Sequence, residues 1–179
     1  MRSGDGRSYP ILELGACRQA ETPTRQSPGV RFYCETQRIS RVSAPGRRRD
    51  VEAVQTGSLL FLSGTLPLEG GTPKFVGRVG GELSIEDGRC AAHLAALNAL
   101  AAARGHLGSL DRVTRVVRLA VSLLTTPEFR QHPRVADAAS ELLATVFRAD
   151  RMSTRLLYGA ASLPLGVCVV VELTLEVSI

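Results

Sequence analysis

Twelve consecutive residues, Val113 to Leu124 (VTRVVRLAVSLL), constrain this chain more than any other segment. Rich in β-branched and apolar side chains, the run reads as a long strand. A period of two puts Val113, Arg115, Val117, Leu119 and Val121 on one face and Thr114, Val116, Arg118 and Ala120 on the other. Helical patterns frame it on both sides. Ser84 opens the first, and Asp87 three residues later completes a variant of the capping box, in which two side chains satisfy exposed backbone N–H groups. Cys90, Leu94, Leu97 and Leu100, with Ala91 and Ala101, then recur at three- and four-residue spacing as far as Gly105, and the many alanines permit close approach to a sheet. Thr126-Pro127-Glu128 opens the second helix with an N-cap hydroxyl, a Pro at the first helical position and an acid favoured by the helix dipole. It runs to about Phe147 with Val135, Leu142, Leu143 and Val146 inward; Pro133 inside it marks a kink or a start delayed by one turn.

Four further segments read as extended. Val51–Gln55 and Leu59–Leu62 flank the turn Thr56-Gly57-Ser58 and predict a hairpin. The Gly/Pro-rich stretch from Pro67 to Gly81 predicts loop with one short strand around Phe75–Val79. Arg155–Ala161 and Val167–Val177 close the chain, joined by Leu163-Pro164-Leu165-Gly166. The order β-β-(β)-α-β-α-β-β makes an α+β domain: a mixed sheet with two helices on one face. Val167 to Leu175 is apolar on both sides, so the second sheet face is expected to be covered by another subunit.

The regular pattern begins only at residue 50. Residues 1–49 hold ten Arg and four acids, a net +6, whereas residues 50–179 are close to neutral at −1. This basic arm, with Pro10, Pro23, Pro28 and Pro45 and no lasting apolar periodicity, predicts disorder, because it buries too little apolar surface to offset its chain entropy. It leaves three readings open: a transit segment, which Asp5, Glu13, Glu21 and Glu35 fit poorly; a nucleic-acid-binding tail; or a passive extension. Hydrophobic residues at 44 % and charged residues at 22 % are enough for a core. No apolar run reaches the roughly 18 residues of a membrane span. A cytoplasmic location is expected, or a mitochondrial one if the arm is a transit segment. Cys17, Cys34, Cys90 and Cys168 form no CxxC pair, which fits a reducing compartment.

Several chemistries lack their pattern. His93, His106 and His132 have no ligand-like spacing, so no metal site is expected. Gly77-Arg78-Val79-Gly80-Gly81 is not a dinucleotide loop, and no GxSxG or Cys–His pairing marks a nucleophile. Eight Phe and Tyr in all, with no Trp, argue against a stacking platform for nucleic acid.

Two strings carry a resemblance. Val54-Gln55-Thr56-Gly57, then Leu59-Leu60-Phe61-Leu62-Ser63-Gly64 and Leu66-Pro67-Leu68, resembles the N-terminal hairpin of the reactive intermediate deaminase (Rid, RidA/YjgF) family. Arg155, then Gly159-Ala160-Ala161-Ser162-Leu163-Pro164-Leu165-Gly166 and Val171-Glu172, resembles its C-terminal signature. The resemblance covers residues 50–179. It implies a chorismate-mutase-like fold, a homotrimer with active sites between subunits, hydrolysis of small imines and enamines such as 2-iminopropanoate, and no cofactor. Some relatives were described as ribonucleases or translation inhibitors; the near-neutral domain makes nucleic acid an unexpected partner.

By this resemblance Arg155 and Glu172 are the catalytic candidates, and Ser63, Gly64, Leu157 and Asp137 line the substrate site. The chemistry agrees. An Arg fork holds a carboxylate in a bidentate grip, and a carboxylate can act as general base toward the attacking water. Glu172 stands among Val169, Val170, Val171 and Leu173, where an unpaired carboxylate is costly, so a partner or a role is expected of it. A small-carboxylate-binding trimer without turnover is the alternative. The chain departs from the family at Asp50, where many members have Tyr, at Asp137, where many have Asn, and at Leu157, often Cys or small. Two added carboxylates beside an anion-binding cleft are expected to repel a 2-imino acid.

Overall fold

A computed structural model describes residues 51–148, 150 and 153–179. The basic arm of residues 1–49 and Asp50 lie outside the described residues. Five strands make one sheet: β1 (Ala53–Thr56), β2 (Leu59–Leu62), β5 (Val113–Leu124), β6 (Thr154–Ala160) and β7 (Val169–Val177), in the spatial order β1-β2-β7-β5-β6. Only β5 and β6 run parallel, so the sheet is mixed. The helices α1 (Ile85–Leu107) and α2 (His132–Phe147) pack on one of its faces, which is the α+β arrangement the sequence implies. A separate two-stranded ribbon, β3 (Leu68–Glu69) with β4 (Thr72–Pro73), turns through Gly70 and Gly71.

Local chemistry accounts for most of these elements. Gly57 takes φ +56°, the positive value that the two-residue loop between β1 and β2 asks of its first position. At the start of α1 the Ser84 hydroxyl accepts from the Asp87 amide at 3.1 Å, while the Asp87 carboxylate accepts from the Ser84 amide at 2.9 Å. The hydrogen bonds from Ser84 hold the Asp87 carboxyl below its usual range. Among the described residues, no helix is long and apolar enough to cross a membrane.

Tertiary structure revises five local expectations. The strand sought at Phe75–Val79 does not form; Phe75 (φ +54°) and Gly77 (φ +128°) interrupt the extended backbone, and Val76 makes one isolated bridge, to Val167, and Val79 two, to Leu83 and Thr125. α1 continues past Gly105 to Leu107, and Gly108, at φ +81°, ends it by donating to the Arg104 carbonyl at 2.8 Å. α2 starts at His132 rather than Thr126: Pro133 has no N–H and tolerates only the first turn, so Thr126–Phe129 closes as a turn of its own. The buried stripe of α1 consists of Ala91, Ala92, Ala95, Ala96, Ala99, Leu100 and Ala103, while Cys90, Leu94, Leu97 and Ala101 are only half-buried. Small side chains let the helix axis approach both the sheet and α2, and longer ones are displaced to the flanks. Near the start of α1, a methyl group on Gly88 would stand 3.0 Å from Val79 and 3.2 Å from Val135.

The fifth revision concerns β5. Its register against β7 slips between Val113 and Arg115 and again between Val116 and Arg118. Each bulge adds a residue to one strand and reverses which face the next side chain meets. Val113, Val116, Leu119, Val121 and Leu123 are therefore buried, while Arg115 and Val117 are exposed. The inward residues of α2 read from sequence, Val135, Leu142, Leu143 and Val146, are all buried.

Candidate functional site

Arg155 lies near the start of β6, the edge strand. Its backbone is in register with Leu119 of β5, which is in register with Leu173 of β7. Paired residues across adjacent strands share a face. Leu119 and Leu173 are buried at 0 % and 2 % exposure, so this row faces the helices. The Arg155 side chain follows it toward α2, where Nη1 donates to Asp137 Oδ1 at 2.6 Å and to Ser140 Oγ at 3.3 Å. The side chains of Arg155 and Asp137 remain 33 % and 42 % exposed. Among the described residues only Nη1 of the guanidinium is engaged, and nothing accepts from Nε or Nη2. Leu157, two residues on, shares this face and, partly buried, packs against the core.

Glu172 belongs to the neighbouring row. It is in register with Ala120 of β5, which pairs with Leu156 of β6. That row faces away from the helices, and Glu172 is exposed, its side chain making no hydrogen bond to a described residue. The expectation of a costly carboxylate among valines is thus corrected: Val171 and Leu173 point into the core while Glu172 points to solvent. Two strand spacings, about 10 Å, and the thickness of the sheet separate it from Arg155 in one protomer. The two catalytic candidates are not brought together within a single chain.

Gly64 is beside Glu172. A Cβ there would lie 2.9 Å from Val170 Cγ1 and 3.7 Å from Glu172 Cγ, so only glycine lets this backbone approach β7 without displacement. Thr65 fixes the approach: it bridges Val171 through two backbone hydrogen bonds, and its hydroxyl donates to the carbonyls of Val171 at 2.8 Å and Ala95 at 3.1 Å. The Ser63 hydroxyl donates to the Val51 carbonyl at 2.7 Å and closes the hairpin.

The candidates therefore form two clusters. One is Arg155, Asp137 and Ser140 at the β6–α2 edge; the other is Gly64 and Glu172 on the open sheet face. Ser140 escaped the sequence reading, although its i, i+3 spacing from Asp137 puts both on one side of α2. Asp137, expected to line the substrate site, is paired with the guanidinium. Two aromatic side chains are exposed. Phe61 and Tyr158, each 44 % exposed, lie on the open face, but on β2 and β6 with β7 and β5 between them. Three strand spacings, about 14 Å, are too wide for neighbouring bases to stack.

Comparison with known proteins follows the same outline. Residues 39–177 match the family described as "YjgF/chorismate mutase-like, putative endoribonuclease". Protein TCP17 of Trypanosoma cruzi is 35 % identical over 129 residues, which is 72 % of this chain and 81 % of that protein. The crystal structure of Atu1372 from Agrobacterium tumefaciens, a protein of unknown function, shares 30 % identity and a TM-score of 0.75 over 84 % of this chain and 92 % of its own. The structure of a "putative endoribonuclease" from Shewanella oneidensis MR-1 gives 26 % identity and a TM-score of 0.78, covering 84 % of this chain and 100 % of that one.

Proposed function

The chain belongs to the YjgF/chorismate mutase-like family, and from that membership we propose that it hydrolyses small reactive imines and enamines to a carbonyl compound and ammonia. The observation that carries this reading is the half-held Arg155. Asp137 and Ser140 fix Nη1, which orients the planar group, while the Nε/Nη2 edge stays open to donate two parallel hydrogen bonds.

In this reading the open edge grips an oxygen-bearing group next to the C=N bond and holds the carbon for attack. Glu172, exposed on the open face, takes a proton from water as the oxygen adds to that carbon. Glu172 passes that proton to the imine nitrogen and a neutral carbinolamine forms. Glu172 then takes the carbinolamine hydroxyl proton as C=O forms and delivers it to nitrogen as the C–N bond breaks, releasing ammonia. Water is the only co-reactant. Imines of this kind already hydrolyse unaided, so positioning supplies much of the rate enhancement.

Because Arg155 and Glu172 lie on opposite faces of one sheet, the reaction places them in a crevice between neighbouring copies, each copy giving one of the two residues. An assembly of three copies, as the family resemblance implies, is part of the proposal. The open face supports association: Val54, Phe61, Leu156 and Tyr158 are between 39 % and 51 % exposed there.

The test is loss of 2-iminopropanoate generated in situ. Arg155→Ala is expected to lower the rate above the spontaneous background by roughly a hundredfold. An unchanged rate removes the enzyme assignment for this substrate. The separation of the two candidates in one protomer favours a second reading, a carboxylate-binding protein without turnover; saturable binding of propionate that needs Arg155, with no accelerated hydrolysis, would establish it.

A further inference from the structure

Asp137 is a carboxylate already seated on the arginine to which the proposed function assigns the substrate. Its Oδ1 is 2.6 Å from Arg155 Nη1, well within charge-assisted hydrogen-bonding range. Both groups are partly exposed and Asp137 reaches Arg155 of β6 from α2, so the pair stands at the β6–α2 edge rather than in the core. We propose that Asp137 is a specificity-determining residue, which tilts the site away from imines flanked by a free carboxylate and toward imines flanked by an uncharged carbonyl, as in an amide or ester. This inference rests on the reading that the Nε/Nη2 edge of Arg155 receives the substrate.

Charge and geometry give the reason. A ligand on the open edge of a guanidinium whose opposite edge carries Asp137 sits across a single planar group from a resident anion. Arg155 and Asp137 together carry no net charge. An approaching carboxylate therefore finds the attraction of the cation largely cancelled and a like charge close by. A neutral carbonyl can still accept from Nε and Nη2 and meets no such repulsion. Glu172, where a neighbouring copy supplies it, adds a second negative group to the same crevice. Ser140 donates no charge, and it shares Nη1 with Asp137, so removing the charge of Asp137 leaves a hydrogen-bonded anchor for the arginine.

The deciding measurement compares 2-iminopropanoate with 2-iminopropanamide, each generated in situ, in the wild type, Asp137→Asn and Arg155→Ala. Asparagine keeps the shape and an acceptor for Nη1 while losing the charge. The amide-to-acid ratio of kcat/KM is expected to fall about fivefold in Asp137→Asn, as befits a partly exposed charge pair, chiefly through a lower KM for the acid. A ratio equal to the wild-type value in Asp137→Asn, with activity still dependent on Arg155, overturns the proposal and leaves the deaminase reading standing. Rates untouched by Arg155→Ala on both substrates overturn the deaminase reading and this inference with it. Should Asp137→Asn fold poorly, inhibition of the wild type decides: propionamide is expected to compete more strongly relative to propionate at low salt than at high salt, and a ratio independent of ionic strength sinks the idea.

Discussion

The two faces of the sheet are built on opposite terms. Toward the helices, Leu60, Leu119, Val121, Leu123, Val171 and Leu175 are completely or almost completely enclosed by the alanines of α1 and the leucines of α2. Away from the helices, Phe61, Leu156, Tyr158 and Glu172 are exposed. The covered face is complete within one chain and needs nothing from outside. The open face mixes apolar groups with a carboxylate and a close-packed glycine, and in the proposed function it meets another copy of the chain. In that reading stability and function are divided between the faces, with Arg155 at the rim where they meet.

The sharpest break of this contrast is a pair of leucines in adjacent rows of the sheet. Leu119→Ala, on the covered face, is expected to cost about 3 kcal/mol and to lower the urea midpoint accordingly. Leu156→Asp, on the open face, should leave the unfolding free energy of an isolated protomer within about 0.5 kcal/mol of wild type and instead reduce the mass seen by analytical ultracentrifugation. A large folding defect in Leu156→Asp protomers would show that the open face is not a separate surface.

A second experiment sharpens the division at the site itself. Arg155→Ala and Glu172→Gln are each expected to lose roughly a hundredfold in rate. Refolded together in equal amounts, they should regain about a quarter of wild-type activity, since random pairing rebuilds an intact Arg155–Glu172 crevice at that frequency. No recovery on mixing would place both groups in one protomer's site, against the opposite faces on which they lie.

The smallest expected effect distinguishes the faces by pH. Cys168 is buried beside the covered core, and burial pushes its thiol from an ordinary value of 9.0 up to about 12. Below about pH 9 the thiol is protonated in both folded and unfolded chains, and it contributes no pH dependence. Between about 9 and 12 the unfolded chain loses a proton that the folded one keeps, so stability falls as pH rises. Thermal melts across this range should show a shallower decline in Cys168→Ala than in wild type; equal slopes would mean that this thiol is not desolvated.

Particular residues show where sequence reading ends. The Ser84–Asp87 capping box, the full extent of Val113–Leu124 and the inward set Val135, Leu142, Leu143 and Val146 follow from contacts within a few positions along the chain. Such contacts repeat with the period of the element, and the order of residues contains them. The preference for alanine over Leu94 and Leu97 in the buried stripe of α1 was not legible, because it depends on how closely a helix lies to a sheet that is assembled from distant segments. The bulges of β5 were hidden for the same reason, since a bulge exists only against a partner strand.

The sequence by itself determined that this chain makes long strands and two amphipathic helices, that an arginine and a glutamate follow each other near its end, and which family it resembles. Only the tertiary structure decided that Leu119 pairs with Arg155 while Ala120 pairs with Glu172, which sends the two functional candidates to opposite faces, and that Asp137 reaches across from α2 to occupy the arginine. Strand register is a long-range property: a shift of one residue exchanges the faces at no change in local preference, so the choice falls to the packing of the whole sheet against its helices.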